Sequence, residues 1–461
     1  MTEKRYFIET WGCQMNEHDT EKMAGILGEM GYQATDKVED ADVYLLNTCT
    51  IREKAEEKVF SRLGVLKKEK EKRNGDMIIG VAGCVAQQNG GGIFERAPYV
   101  DLVLGTQALK QLPDMVGKLH GHQGRQLNVA KDPENHLFPS HVPKRGTSIR
   151  ARITIMEGCD NYCTYCIVPF TRGRERSRPW EDVVEEARRL AGMGFKEIEL
   201  LGQNVNSYFS TVNFARLLRE MNDVPGLETV RYVSPHPKDF DREVIETIRD
   251  CPKIATNIHL PAQSGNSRIL KRMGREYTRE LYMDKVYMIR EVLEGIPFSL
   301  TSDFIVGFPG EKEHEFWDTV TLLDEVGYDR IFSFAYSERP GTGAVKHADS
   351  VPQQEKMYRL KILQQHQLEI QKARMQARVD NPANVLIDTV KPGEEYPLVG
   401  RTRDNLLVHI KADVGEPERF YGKAVRVRVT GTGLHTLRGE LCPEPIEHLW
   451  SQPNAPEVTT V

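Results

Sequence analysis

The chain of 461 residues lacks any run of about 18 apolar residues, so nothing in it reads as a membrane-spanning helix. Cysteine is scarce at eight residues, too few for a disulfide framework in a chain this long, which leaves metal or redox use. A dominant charge is also missing. Lys and Arg total 62 against 67 Asp and Glu, a net charge of -5, so no global field announces a nucleic-acid or membrane-surface partner. An apolar leader is absent: Met1-Thr2-Glu3-Lys4-Arg5 runs straight into the strand-like Tyr6-Phe7-Ile8, and we expect a cytoplasmic protein with no membrane partner. What is present is ordinary in bulk, 39% hydrophobic and 28% charged, enough for real cores in about three domains.

The cysteines themselves are not ordinary. Cys159, Cys163 and Cys166 stand at the spacing C-x3-C-x2-C, just past the β-like run Ala151–Glu157. Thiolates select zinc, Cu(I) or iron–sulfur clusters. A structural zinc site wants four protein ligands, whereas a loop of three suits a [4Fe–4S] cluster with one iron left open. Zinc with a distant fourth ligand, or cysteines buried for packing, are the alternatives. The loop resembles the signature of the radical S-adenosylmethionine (SAM) superfamily, including the aromatic Tyr165 before the third cysteine. The resemblance implies that the open iron binds SAM and that one-electron reduction yields a 5′-deoxyadenosyl radical.

Ahead of this loop, strand-like and helical stretches alternate: Tyr6–Thr10, then Glu21–Met30; Val43–Asn47, then Lys54–Lys72; Met77–Ala82; Val100–Leu104, then a helix to about Leu119. This order predicts a doubly wound parallel sheet over residues 1–120. Cys13, Cys49 and Cys84 each follow one of the first three strands, 36 and 35 residues apart, or one βα unit. Ligands of open parallel sheets bind beyond the carboxyl ends of the strands. A second three-thiolate site is therefore expected there, against the alternative of three isolated cysteines. Glu9–Asn16, Leu46–Arg52 and Gly80–Gln87 resemble motifs of the methylthiotransferase N-terminal domain, which implies an auxiliary [4Fe–4S] cluster on these cysteines.

Residues 121–147, rich in Gly, Pro, charge and histidine, read as a linker. Residues 148–378 hold six β-like runs with helical partners, beginning near Ile153, Ile198, Val230, Thr256, Leu300 and Ile331. They predict an open (β/α)6 partial barrel, with chemistry at the C-terminal strand ends. At those ends lie Gly202 and Gln203, Ser234 and His236, Gln263 and Ser264, Ile305 and Val306, and Tyr336. With Tyr165 these are the candidate SAM contacts, the glycine for close approach and the polar groups for hydrogen bonds. Each taken alone reads equally as a turn or core residue. Arg172, Arg174, Arg176 and Arg178 form a basic run that fits either phosphate contact or a salt-bridged surface. Lys271, Arg272, Met273, Arg275 and Tyr277 form a second such face.

Residues 379–446 turn β-like, and Arg426 and Arg428 alternate with Val425, Val427 and Val429. Over 401–438 eight basic residues face four acidic ones. An OB-like small barrel that grips RNA through Arg401, Arg403, Arg426 and Arg428 is expected, with a solvated β surface as the alternative. Gly400–Asn405 resembles the G-R-T-x-x-N run of the TRAM domain, although Asp388–Lys391 departs from the usual V-E-G before it. Residues 447–461 read as a tail, and Cys251 and Cys442 as structural.

Thr171–Pro179 and Leu201–Tyr208 resemble the MiaB-type branch of the radical SAM methylthiotransferases. That resemblance implies two [4Fe–4S] clusters, with SAM used once for methylation and once for the radical. It further implies methylthiolation at C2 of N6-isopentenyladenosine at position 37 of tRNA, an anticodon stem-loop partner, and an electron donor such as flavodoxin or ferredoxin. We expect a monomer. Sulfur insertion into a ribosomal-protein aspartate or into threonylcarbamoyladenosine tRNA, and a zinc-dependent RNA-binding module without catalysis, are the competing readings.

Overall fold

The computed structural model describes residues 3–49, 55–130, 148–348 and 350–442. The expected tail at 447–461 and most of the expected linker, 131–147, lie outside the described residues. The chain forms two units: residues 1–147, 157–160 and 166–176, and residues 148–156, 161–165 and 177–461.

The first unit runs β1 (Arg5–Trp11), α1 (Gln14–Glu29), β2 (Gln33–Ala34), β3 (Val43–Thr48), α2 (Ala55–Lys72), β4 (Ile78–Gly83), α3 (Cys84–Asn89), α4 (Gly92–Arg96), β5 (Leu102–Leu104), α5 (Leu112–His120) and β6 (Gln126–Asn128). Its six strands are parallel, in the order β2-β1-β3-β4-β5-β6. All six residues of β3 are buried. Val43 and Leu45 join Met23 and Leu27 of α1 and Leu112 and Val116 of α5 in one core. Tyr44 and Leu46 join Val59 and Leu63 of α2 in the other. A strand that is apolar on both faces needs helices on both, which is the expected doubly wound arrangement. Strand order reverses between β1 and β3, the switch point at which such sheets bind ligands.

Two boundaries differ from the expectation. α1 begins at Gln14 rather than near Glu21, because Cys13 is its N-cap residue and Asn16 Oδ1 accepts the Cys13 N–H at 3.3 Å. The sheet also continues past residue 120: β6, within the expected linker, pairs with β5.

After β7 (Arg150–Thr154) the chain passes β8 (Met156–Glu157), α6 (Val168–Arg172) and β9 (Arg176–Ser177). It then follows α7 (Trp180–Gly192), β10 (Glu197–Leu201), α8 (Phe214–Asn222), β11 (Thr229–Tyr232), α9 (Arg242–Asp250), β12 (Asn257–His259), α10 (Ser267–Arg272), α11 (Arg279–Val292), β13 (Ser299–Val306), α12 (Glu313–Val326), β14 (Arg330–Ala335) and α13 (Gln353–Gln376). In the second unit six of these strands form two parallel sheets, β7-β10-β11 and β12-β13-β14, linked by a bridge from Val230 to Ile254. Spatial order equals chain order, and among the described residues β14 does not pair with β7. This is the open six-stranded arc read from the sequence. Leu300, Ser302, Phe304 and Val306 of β13 are buried, whereas Thr301, Asp303 and Ile305 on its other face are half-buried.

β15 (Pro382–Val390), β16 (Leu398–Arg401), β17 (Leu407–Lys411), β18 (Ala424–Thr432) and β19 (Thr436–Leu441) close a barrel. Val425, Val427 and Val429 enter its core with Val385, Ile387 and Val408, as their alternation with arginine requires. The barrel is tied to the arc through backbone carbonyls. Arg403 donates from Nε to Ile254 O at 2.8 Å and from Nη2 to Ile248 O at 2.6 Å and Cys251 O at 3.0 Å. Arg231 donates to Thr402 O at 3.1 Å, and Ser299 Oγ to Asp404 O at 2.7 Å. The RNA-facing role expected of Arg403 is therefore corrected. Its guanidinium occupies the C-terminal end of α9, where helix carbonyls lack partners. Arg401 is likewise half-buried, 3.3 Å from Asn405 Oδ1 and 3.9 Å from Asp388. No helix among the described residues is long and apolar enough to cross a membrane.

Candidate functional site

Strand geometry delivers the first cysteine set. Cys13 lies two residues past β1 and caps α1, Cys49 follows β3, and Cys84 opens α3 directly after β4. The Cys49 N–H donates to Trp11 O at 2.9 Å, so the ends of β1 and β3 stay in step. Two glycines permit the crowding. Gly83 has φ +87°, and a Cβ there would sit 2.4 Å from Asn47 Oδ1 and 2.6 Å from Thr48 O. A Cβ on Gly12 would sit 2.4 Å from Asn16 Oδ1. Asn16 and Asn47, both fully buried, brace the strand ends: Asn16 Nδ2 donates to Asn47 Oδ1 at 3.2 Å, and Asn47 Nδ2 to Asn16 O at 2.8 Å.

The three thiols are hydrogen-bonded in a row, with Cys49 between Cys13 and Cys84. All eight described cysteines are free. The Cys49 S–H donates to one neighbour at a time; with the Arg172 charge beside it, that bond brings Cys13 down to about 6 or Cys84 down to about 7, against burial. The Cys49 thiol, bonded to both neighbours and buried, is pushed up. The described residues gather no three His, Cys, Asp or Glu side chains about a single ion. A cubane, however, takes its three thiolates on three different irons and does not need that cup. Three contacting thiols, two of them biased toward thiolate beside a buried cation, fit a cluster with three protein ligands.

That cation is Arg172, expected from the sequence to be a phosphate contact. The structure corrects this: Arg172 is 5% exposed and donates to Asp19 Oδ2 at 2.7 Å. Burial works against its charge, but Asp19, Cys84, Glu157 and Cys13 outweigh it and raise its pKa. Lys22, also buried, lies 3.5 Å from Glu157 and 4.0 Å from Asp19. Thr106 Oγ1 and Gln107 Nε2 hold the end of α6 in place, bonding to Thr171 O at 2.7 Å and Arg172 O at 2.8 Å. Asp19 and Lys22 carried no motif, and only their spacing on α1 could have pointed to them. Arg174 is exposed and paired with Asp160 at 2.8 Å, and Arg176 is half-buried.

The second cysteine set lies in one loop. Cys159 and Cys166 group with the first unit and Cys163 with the second. The Cys159 N–H donates to Gly173 O at 3.3 Å. In the second unit Thr164 N donates to Met273 O at 2.8 Å and Thr164 Oγ1 to Arg272 O at 2.9 Å, which fixes the loop beside Cys163. Cys163 is buried, and Arg275 Nη1 reaches its Sγ at 3.5 Å. Arg275 was expected on a surface with Lys271, Arg272, Met273 and Tyr277, but Met273, Arg275 and Tyr277 are buried, so these three turn inward while Lys271 stays exposed.

The candidate SAM contacts separate into groups. Tyr165, Ile305 and Tyr336 pack in one apolar cluster with Phe308, Ile269, Met273 and Ala344. The Tyr336 hydroxyl is buried without a hydrogen-bond partner among the described residues. Val306 is fully buried on the opposite face of β13 from Ile305 and joins no such wall. His236 is 7% exposed; its Nδ1 accepts the Lys238 N–H at 3.2 Å, so Nε2 carries the proton, and Nε2 has no partner among the described residues. Burial, then the charges of Arg275 and Lys238, press its pKa to about 2 and keep it neutral. Ser234 and Gln263 hold left-handed backbone at φ +58° and +70°. Such conformations cost a non-glycine residue about 1–3 kcal/mol. Gly202 lets β10 approach Met156, whose Cγ would stand 2.5 Å from a Cβ there, and Gln203 follows it. Ser264 is a correction: its buried hydroxyl lies 3.4 Å from Thr319 of α12 and accepts the Asn266 N–H at 3.2 Å, serving the start of α10. In the barrel Arg426 is half-buried, and Arg428 is exposed and paired with Glu440 at 2.8 Å.

Residues 5–105 match the uncharacterized protein family UPF0004, and residues 153–323 match the radical SAM superfamily. The chain is 43% identical over 443 residues to a tRNA-2-methylthio-N(6)-dimethylallyladenosine synthase of Koribacter versatilis, covering 95% of this chain and 98% of that protein. It is 43% identical over 451 residues to the protein of the same name from Albidiferax ferrireducens, again covering 95% and 98%. Among solved structures, the radical S-adenosylmethionine methyltransferase TsrM from Kitasatospora setae aligns with a TM-score of 0.55 at 14% identity. It covers 75% of this chain and 77% of that one, a likeness of fold alone.

Proposed function

Because the chain belongs to the tRNA-2-methylthio-N(6)-dimethylallyladenosine synthase family, we propose that it adds a methylthio group to C2 of N6-isopentenyladenosine at position 37 of tRNA. The observation that carries the reading is the pairing of a C-x3-C-x2-C loop with a second set of thiols gathered at the switch point of a parallel sheet. When bound, the two [4Fe–4S] clusters would supply reductive cleavage of one SAM and the sulfur methylated by another, chemistry that side chains cannot provide for a non-acidic C–H.

The chain's own residues hold and orient. Cys13, Cys49 and Cys84 hold the auxiliary cluster, and Arg172 offsets the thiolate charge. Cys159, Cys163 and Cys166 hold the cluster on which SAM binds. Tyr165, Ile305 and Tyr336 form an apolar wall that shields SAM from water, with Val306 behind the strand. Neutral His236 offers a desolvated N–H donor to SAM, and Gly202, Gln203, Ser234 and Gln263 present backbone and amide groups at neighbouring strand ends. Exposed Arg174, with Arg176, Arg426 and Arg428, contacts the anticodon stem-loop phosphates. The base leaves its stack to reach C2. Electrons come from a donor such as flavodoxin or ferredoxin, and the enzyme works as a cytoplasmic monomer.

Nucleoside mass spectrometry tests this. Anaerobically reconstituted protein with reductant and SAM is expected to convert N6-isopentenyladenosine tRNA, and not threonylcarbamoyladenosine tRNA, to a methylthio product. Product from the second substrate alone would overturn the substrate, and absence of both product and 5′-deoxyadenosine would overturn the reaction.

A further inference from the structure

Arg275 is 8% exposed, and each of its three guanidinium nitrogens has a partner. Nε donates to Tyr277 Oη at 2.8 Å and Nη2 to Pro261 O, just past β12, at 2.9 Å. Nη1 points at Cys163 Sγ, 3.5 Å away, and Tyr165 Oη, 3.4 Å away. Tyr277 Oη is itself 3.0 Å from the carbonyls of Pro261 and Ala262, so the guanidinium plane is fixed from two sides.

A guanidinium out of water costs several kcal/mol unless an anion answers it. Among the described residues no carboxylate pairs with Arg275. Burial opposes its charge, and Tyr165, Tyr277 and Cys163 are the groups that offset it. A phenol is ordinarily neutral at physiological pH, and burial pushes Tyr277 further up, to about 12. The one neighbour able to supply a full negative charge is the Cys163 sulfur as a thiolate ligand.

We propose that Arg275 is a positioning residue for the Cys163 thiolate, and that its fixed charge and N–H···S bond make the cluster on Cys159, Cys163 and Cys166 easier to reduce. Reduction adds one negative charge beside a cation that is already in place, and hydrogen bonds to ligand sulfur raise a cluster's potential. The inference rests on the cluster assignment made above.

The test uses full-length protein with Cys13, Cys49 and Cys84 replaced by alanine, so that one cluster remains, in three forms: Arg275 intact, Arg275→Met and Arg275→Lys. Each is titrated with dithionite under electron paramagnetic resonance, first without SAM. We expect the methionine variant to keep its iron and reduce at a more negative midpoint, and the lysine variant to recover most of the shift. Iron kept by lysine but lost by methionine also supports the role, because charge is then what holds the site. An unmoved midpoint with full iron overturns it. So does a shift seen only with SAM present, which would make Arg275 a contact for the SAM carboxylate. Iron lost from both variants overturns it in favour of shape. Iron absent even with Arg275 intact removes the cluster assignment itself, a distinguishable failure.

Discussion

Arg403→Met separates a structural arginine from an RNA-binding one. The wild-type side chain gives three charge-assisted hydrogen bonds to Ile248 O, Cys251 O and Ile254 O at the end of α9. Burial lowers its pKa to about 10, so it stays charged at neutral pH. Hydrogen bonds to charged groups are worth about 1.5–3 kcal/mol each. Three of them on one half-exposed side chain do not sum, and water can reach part of the vacated site, which brings the expected loss to about 3 kcal/mol. That is about a hundredfold in the unfolding equilibrium and roughly 5–10 °C in the melting of the second unit. Methionine keeps the stem length, so the loss reports the lost hydrogen bonds. Lysine, with one ammonium for three carbonyls, should recover less than half. The assay is a thermal melt beside RNA binding measured across salt concentrations. The expected result is a lower melting temperature with an unchanged salt slope. An unchanged melt with a shallower slope would refute the reasoning and return Arg403 to the RNA surface.

Three further outcomes follow from the same contacts. Cys49→Ala removes the thiol that bridges Cys13 and Cys84 and should lower iron and acid-labile sulfide by about four per chain; unchanged metal analysis would dismiss the auxiliary site. In the iron-free protein Cys13, held at about 6, should stay a thiolate at neutral pH, so its alkylation by iodoacetamide should already be half-maximal near pH 6. Peptide mass spectrometry showing a midpoint near an ordinary thiol, about 8.5, would contradict the charge picture. Arg426→Gln with Arg428→Gln should reduce the slope of log affinity against log salt by about 1.5–2 while melting stays put; an unaltered slope would remove the barrel from the RNA interface.

The sequence made some of this legible and hid the rest for identifiable reasons. Cys13, Cys49 and Cys84 could be brought together on paper because one βα unit separates each pair and parallel strands share a carboxyl edge. Arg426 and Arg428 were readable because a strand has period two and valine marks the other face. Arg172, Arg275 and Arg403 were not, since a charged letter carries no sign of burial, and each turns toward the protein because another part of the chain supplies its partner. Ser264 failed similarly: a serine at a strand end can serve a ligand or the next helix, and Thr319, 55 residues away, decides it. β2 and β6 escaped because two and three residues carry no period.

The row of thiols has a practical side. Three is an odd number, and the central Cys49 touches both neighbours, which are themselves biased toward thiolate. Without iron, Cys49 can join one of them in a disulfide: its thiol gives up one proton, two electrons pass to dioxygen, which takes its second proton from water to leave as hydrogen peroxide, and the third sulfur is left single. Protein purified in air would then lose the proposed auxiliary site to a covalent bond that added iron cannot displace. Treatment with a thiol reductant before iron and sulfide are supplied should decide how much of a preparation can be loaded.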